Sequence, residues 1–450
     1  MLADRLDVIL LDVRDGESLA YNHAYENLRL GAVASAVEDR GRTARFADLT
    51  TVESVVATAE RPLLVLDAFF RVAERVTTAL VAARAANPDV AVLCFGRAAR
   101  TIWGEKSLRT LIDHFEFYDE VSAVLRLLGE HPTEWIATTP GRPGTHGWIE
   151  RGVVDIEATR GCEHQCTFCG VDVGAAGARM RRWRARPPTD VAAEMLRWSE
   201  ATGLSRFQFV DDNLLGSPRH SEQWIREFTS ALRALRLAVN FSFYGRLDHT
   251  LLELLPELRD AGLVQLHAGV ESGSDAVLHR LRKGITTSQM ETAIEALEES
   301  GVELVASLIV FEQRMSLTEL ADCITWVEAT SLERYFSLTT AIPFAGTALR
   351  TEFEDSGIPV VPQTNRLGFP DARVFAHPDV QRAYDNACTW EEAHAPGGSR
   401  DLESLMRMRF SHEERLGVID HPQPRWLDDL RSFRLSQLRT LRDGVVSVSA

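Results

Sequence analysis

Arg160-Gly161-Cys162-Glu163-His164-Gln165-Cys166-Thr167-Phe168-Cys169-Gly170 carries three cysteines at C-x3-C-x2-C spacing. It follows an apolar, strand-like run, Val153-Val154-Asp155-Ile156-Glu157-Ala158. Thiolates are soft ligands suited to iron–sulfur clusters, and a short loop with glycine can wrap three of them around one cubane face. Three thiolates on four irons leave one iron open to a ligand from outside the protein. Structural zinc instead wants four closed ligands, commonly in two close pairs. No second pair follows here, and His164 inside the loop would complete only a cramped tetrahedron. Inert buried thiols are the plainer alternative.

A chain of 450 residues is long enough for two or three domains with their own cores. Its 45% hydrophobic and 25% charged residues place it among ordinary globular proteins. No apolar run is long enough to span a bilayer and no signal-peptide pattern stands at Met1-Leu2-Ala3-Asp4-Arg5, so the expected compartment is the cytoplasm, with no membrane partner. Half of the 6 cysteines sit in one loop, a pattern of metal binding rather than of a disulfide framework. Cys94, Cys323 and Cys388 are scattered and read as buried thiols. A net charge of −16 disfavours nucleic acid and suits a cationic small molecule. One charge pair at 4 Å is worth ~4 kcal/mol at an effective dielectric of 20. Solubility alone also accounts for an acidic surface.

Apolar runs alternate with amphipathic stretches from residue 7 to about 128. Strands are expected at Asp7–Asp12, Thr43–Ala47, Leu63–Asp67, Val90–Phe95 and Glu116–Asp119, with helices near Tyr21–Glu38, Phe70–Ala86 and Ser107–His114. That alternation predicts an α/β domain, a doubly wound Rossmann-like sheet over residues 1–135. A Pro/Gly-rich linker follows over 136–150. Beyond it, strands are expected at Val153–Ala158, Arg206–Val210, Ala238–Tyr244, Val264–Ala268, Glu303–Val310 and Tyr335–Ala341, with helices between them. This predicts a βα-repeat domain over 151–345. From 346 to 450 the pattern changes to Gly/Pro-rich stretches and Arg-rich helices near Leu402–Arg409 and Trp426–Arg442, read as an accessory region over the open side of the sheet.

The cysteine loop, with Phe168 as its aromatic, resembles that of the radical S-adenosylmethionine (SAM) enzymes. The resemblance continues through Phe209-Val210-Asp211-Asp212-Asn213, Phe243-Tyr244-Gly245-Arg246 and Gly269-Val270-Glu271-Ser272-Gly273-Ser274, ending near Pro343-Phe344-Ala345-Gly346-Thr347. It covers about 200 residues and implies an open, partial (β/α)6 barrel. Cys162, Cys166 and Cys169 would hold a [4Fe-4S] cluster whose fourth iron takes SAM, and Phe168 would flank the adenine. By the same resemblance Asp211 and Asp212 would meet the SAM ammonium, Glu271 and Ser272 the ribose or substrate, and Ser307 the SAM carboxylate. Tyr244 and Arg246 would face the same cavity, one of them turned outward. Family members often carry Gly-Leu-Pro-Gly where this chain has Val310-Phe311-Glu312-Gln313-Arg314, making Glu312 and Arg314 candidate substrate contacts.

The front domain resembles the cobalamin-binding domains that precede many radical SAM cores. Its D-x-H-x-x-G loop is absent, however. The chain reads Asp12-Val13-Arg14-Asp15-Gly16-Glu17 with His23 beyond, and a later double glycine is reduced to Gly96-Arg97. Cobalamin binding and a structural remnant both remain open. The resemblance implies reductive cleavage of SAM to a 5′-deoxyadenosyl radical, fed by a flavodoxin- or ferredoxin-type electron donor. The nearest likeness is to radical SAM dehydratases of aminoglycoside biosynthesis, which act on aminosugars such as paromamine, and a partner reductase would complete such a reaction. Departure of the hydroxyl needs a general acid, for which Glu271, Tyr244 and Asp211 are the candidates. The alternative is a cobalamin-dependent C-methyltransferase. A catalytically silent binding protein is the third reading, which the intact cysteine triad argues against.

Overall fold

The computed structural model describes residues 6–13, 27–67, 73–96, 99, 106–117, 119–133, 135–142, 152–171, 183–361, 372–394 and 425–449. In chain order the first domain contains β1 (Asp7–Asp12), α1 (Leu28–Glu38), β2 (Ala44–Asp48), α2 (Val52–Ala57), β3 (Pro62–Asp67), α3 (Ala73–Ala86), β4 (Ala91–Phe95), α4 (Lys106–Arg109), β5 (His114–Phe115) and α5 (Glu120–Leu127). The strands form one parallel sheet in the order β2-β1-β3-β4-β5. Strands buried on both faces read as continuous apolar runs, and β1 and β3 do so. Ile9, Leu11, Leu64 and Leu66 enter one core, while Val8, Leu10, Leu63 and Val65 enter the other.

The last pairing of this sheet falls at His114–Phe115 rather than at Glu116–Asp119. The reason is local. The Glu116 carboxylate accepts from the Phe117 amide at 2.8 Å, and Asp119 accepts from the Ser122 amide at 3.2 Å as the N-cap of α5. Side chains that take up neighbouring amides in this way favour turns and caps over strand. Residues 14–26, His23 among them, lie outside the described residues, as does Arg97.

The second domain contains β6 (Val154–Ile156), β7 (Thr159–Arg160), β8 (Arg184–Ala185), α6 (Pro188–Thr202), β9 (Arg206–Phe209), α7 (Ser221–Ala234), β10 (Asn240–Gly245), α8 (His249–Asp260), β11 (Leu263–Glu271), α9 (Asp275–Arg280), α10 (Thr287–Glu299), β12 (Glu303–Leu308) and α11 (Leu317–Ala329). A parallel five-stranded sheet runs β12-β11-β10-β9-β6. One strand face packs on the helix layer, with Phe207, Phe209, Phe241, Phe243 and Leu266 among Val191, Ile225, Phe228 and Leu254.

A sixth strand is absent among the described residues. Tyr335–Ala341 holds the end of a 3-10 turn (Glu333–Tyr335) and a single parallel bridge between Phe311 and Thr340. Side chains take the positions a ladder would use along β12. The Tyr335 hydroxyl donates to the Leu304 carbonyl, and the Thr339 hydroxyl donates to the Leu308 carbonyl at 2.6 Å. Helices α12 (Ala348–Asp355), α13 (Pro378–His394) and α14 (Arg425–Ser449) complete the described chain; Leu402–Arg409 lies outside it. They pack beside β12 and α11: Phe311 meets Tyr384 edge-on at 5.0 Å, and Arg442 reaches Glu328 at 3.0 Å.

Candidate functional site

The cysteine loop leaves β7 and is pinned by backbone on three sides. Glu163 donates to the Gly216 carbonyl at 2.8 Å, Thr167 to the Leu281 carbonyl at 2.9 Å, and Leu349 to the Thr167 carbonyl at 2.9 Å. Gly161 has φ +81°, the left-handed region that glycine enters without strain. A Cβ on Gly216 would stand 2.7 Å from Trp183 and 3.0 Å from the Gly161 carbonyl, so the loop closes only over a glycine. Cys162, Cys166 and Cys169 are free thiols at intermediate exposure, whereas Cys94 and Cys323 are buried.

Two polar side chains point at these sulfurs. Asn213 Nδ2 donates to Cys162 Sγ at 3.5 Å, and Arg246 Nη1 to Cys166 Sγ at 3.5 Å. Arg246 is further held by Asp248 at 3.1 Å and by the Lys283 carbonyl. Burial and then Arg246 bring the His164 imidazole down to about 4, so it is neutral at pH 7. Its Nε2 lies 3.8 Å from Asp248. Among the described residues no three His, Cys, Asp or Glu side chains converge on a single metal ion.

Strand register builds the chamber behind the loop. Side chains alternate across a strand, and the apolar set already faces the helices. The other face therefore carries Asp155, Gln208, Ser242, Gln265 and Glu303 as one register-aligned row. Above it stand Tyr244 and His267, paired across the ladder with ring centroids 4.7 Å apart, and then Gly269 beside the exposed Ser307. Tyr244 and Arg246 lie on the same side, because a single residue, Gly245, separates them; neither turns outward. Glu271 follows at a bulge with φ +68°, its carboxylate 2.8 Å from Lys283. Bulges and left-handed non-glycine residues both gather at functional sites. A Cβ on Gly269 would strike Glu271 Oε1 at 2.2 Å.

Several expected contacts are otherwise engaged. Asp211 is buried and accepts from the amides of Ala158 (3.1 Å) and Thr159, stitching β9 to the root of the loop. Burial pushes its carboxyl up to about 7. These bonds make it a brace of the loop root, and the exposed Asp212 follows it beyond the strand end. Ser272 is fully buried and accepts from its own turn at Ser274, on the side where Gly273 meets Trp326 of α11. Glu312 is the buried hub of an ion network with Arg280 (3.1 Å) and Arg314 (2.7 Å), and Arg314 continues to Glu352 (2.8 Å). These pairs fix α12 to the barrel and leave neither residue turned to a substrate. Asn213, Lys283 and His267 are the site residues that sequence reasoning did not single out.

The loop is also tied to the first domain. Glu120, buried at the start of α5, binds Arg29 at 2.7 Å and Arg160 directly before the loop. Burial opposes its ionisation, but Arg160 and Arg29 hold the carboxyl down to about 2. A cleft of about 220 Å³ between the domains is lined by Ala32, Trp135, Ile136, Glu157 and Arg160 among others.

Residues 156–323 match the model of the radical SAM superfamily. The chain carries a radical SAM domain. It is 28% identical over 158 residues to the anaerobic magnesium-protoporphyrin IX monomethyl ester cyclase of Synechocystis, covering 35% of this chain and 30% of that protein. It is 26% identical over 200 residues to the 4′-phospho-dehydrooxetanocin synthase of Priestia megaterium, covering 40% of this chain and 26% of that protein. The chain thus spans less than a third of either relative. The fold extends further: the cobalamin-dependent SAM radical enzyme OxsB, with aqua-cobalamin bound, aligns over 98% of this chain and 72% of its own at 15% identity, TM-score 0.73. The radical SAM methyltransferase TsrM of Kitasatospora setae aligns over 80% and 78% at 14% identity, TM-score 0.62.

A radical SAM domain implies a [4Fe-4S] cluster and SAM. The donor set fits the cluster: three partly exposed thiols in one loop, beside a cation and an amide N–H. Phe168 lies in the loop itself, and Tyr244, Glu271 and Ser307 lie at the C-terminal ends of β10, β11 and β12. No helix among the described residues is long and apolar enough to cross a membrane.

Proposed function

We propose that this radical SAM enzyme acts on an aminosugar, taking a hydrogen atom from a carbon beside a hydroxyl group, releasing that hydroxyl as water, and returning one electron, from the same donor that feeds the cluster, and one proton to the substrate radical left behind. The observation that carries this reading is the inner face of the sheet, where Asp155, Gln208, Ser242, Gln265 and Glu303 line up under Tyr244 and His267. Ser242 Oγ and Gln265 Oε1 have no hydrogen-bond partner among the described residues, and a polyhydroxylated ammonium compound offers them one where an apolar substrate does not. The −16 net charge favours the same cation.

The cluster, when bound, supplies the electron that splits SAM into methionine and a 5′-deoxyadenosyl radical. The protein's own part is orientation, exclusion of water and delivery of a proton to the leaving hydroxyl. Of the expected proton donors, Asp211 is spent on backbone amides and Glu271 on Lys283, which leaves Tyr244, backed by His267, for that step. The electron would come from a flavodoxin- or ferredoxin-type protein, and a separate reductase would complete a deoxygenation.

A cobalamin-dependent C-methyltransferase is the second reading. What favours it is the likeness of nearly the whole chain to OxsB, together with that to TsrM. Against it stand the missing D-x-H-x-x-G loop and the Arg29–Glu120–Arg160 contact where the two domains meet. Anaerobic incubation with SAM, reductant and paromamine separates the two. Dehydration lowers product mass by one water, and methylation raises it by one methylene and requires corrinoid absorbance after treatment with hydroxocobalamin.

A further inference from the structure

We infer that Arg246 and Asn213 are positioning residues that set the reduction potential of the cluster in the radical SAM domain, by donating N–H bonds to two of its three cysteine sulfurs. This holds for either reaction proposed above and rests only on the cluster loop. Both donors are more than nine-tenths buried, Arg246 at 6% and Asn213 at 5% exposure. Both reach sulfur at 3.5 Å, Arg246 at Cys166 and Asn213 at Cys162.

Neither geometry is incidental to packing. Arg246 extends from the end of β10 and is clamped by Asp248 (3.1 Å) and the Lys283 carbonyl, so its third nitrogen is aimed at Cys166. Asn213 closes a tight turn whose carbonyl accepts from Gly216, the glycine on which the cysteine loop rests. A cysteine sulfur bound to iron is an acceptor, so the amide nitrogen rather than the oxygen must face it. One electron entering the cluster adds one negative charge over iron and sulfur. Hydrogen bonds to sulfur and a nearby cation stabilise that added charge and raise the potential. Asp248 offsets part of the arginine's charge but sits on the nitrogen remote from Cys166, which leaves the Nη1 bond directed at the sulfur.

The test uses the full chain, reconstituted anaerobically with iron and sulfide and titrated through redox mediators without SAM or substrate, following the EPR signal of the reduced cluster. At a poise where the wild type is half reduced, Arg246→Met should lower the reduced-to-oxidised ratio about tenfold, which is ~59 mV for a one-electron couple. Arg246→Lys should recover part of that loss. Asn213→Leu should shift the ratio in the same direction by a smaller factor, and it carries the test by itself if Arg246→Met does not retain iron. A ratio within about twofold of wild type in variants with full iron content would overturn the inference. So would loss of iron from both Arg246→Met and Asn213→Leu, since the two residues would then hold the loop rather than tune what it binds.

Discussion

The two five-stranded parallel sheets of this protein share an architecture and differ in one face. In the first, β1 and β3 send alternate residues into two apolar cores, and nothing polar breaks the run from Val8 to Leu11 or from Leu63 to Leu66. In the second, one face is as apolar as either of these, while the other carries Asp155, Gln208, Ser242 and Gln265 in near-complete burial. Burying a polar group costs a few kcal/mol unless it finds a partner. Ser242 Oγ and Gln265 Oε1 have none among the described residues. The first sheet is filled by apolar side chains on both faces, whereas the second keeps buried polar groups on one.

That contrast can be broken or sharpened by substitution. Cys166→Ala, at the mouth of the polar face, should reduce 5′-deoxyadenosine formation to background in anaerobic assays. Persistence of that product would remove the loop from the chemistry. Glu120→Ala, which unties the first sheet from the loop, leaves Arg29 and Arg160 without their shared carboxylate. It should cost about 3–5 kcal/mol in urea unfolding, the usual cost of breaking a buried pair. The wild-type contribution has a defined pH window. Because the folded Glu120 carboxyl is held down to about 2 from 4.5, its stabilisation is complete above 4.5 and is lost as pH falls through 2. His164 acts higher: kept neutral down to about 4 from 6.5, it costs stability as pH falls from 6.5 to 4, where the unfolded chain binds the extra proton. Asp211 works the other way, since its carboxyl, pushed up to about 7 from 3.8, adds stability as pH falls from 7 to 3.8. It offsets His164, so the net acid loss should appear below 4.5, where the Glu120 contribution is lost.

Leu64→Ala in the first sheet should cost about 2–5 kcal/mol. Ser242→Ala on the polar face should change stability by less than about 1 kcal/mol, since it removes an unpartnered buried hydroxyl, and should raise KM for the sugar while leaving its melting transition in place. Equal stability losses for the two would mean that the inner face is packing after all. Asp211→Asn, which keeps an acceptor for the Ala158 and Thr159 amides, should retain formation of the dehydrated product within a few-fold. A general acid contributes about 10²–10⁴-fold, so a drop of that size would return Asp211 to the reaction.

The strands and the cysteine loop were legible in the sequence because their signals are local. Asp7–Asp12 is an uninterrupted apolar run, and C-x3-C-x2-C needs no tertiary context to suggest a cluster. The sixth strand was over-read, since Phe336-Ser337-Leu338-Thr339-Thr340 has strand-like residues whose side chains end up capping β12. Asp211 and Asp212 are adjacent carboxylates at a strand end, and only the fold shows that the first turns back to the loop root. Arg246 and Asn213 fell within stretches already singled out, yet their contact with sulfur spans 80 and 51 residues of sequence. Lys283 carries no pattern of its own; it meets Glu271 because a bulge at Gly269 to Glu271 turns that carboxylate toward the end of α9.

Iron and sulfide analysis after anaerobic reconstitution, read with EPR before and after SAM is added, tests the central claim most directly. A loop that holds a cubane by three thiolates should bind about four irons and four sulfides per chain, and SAM should alter the reduced spectrum by occupying the remaining iron. Zinc without sulfide, or a reduced spectrum indifferent to SAM, would contradict it.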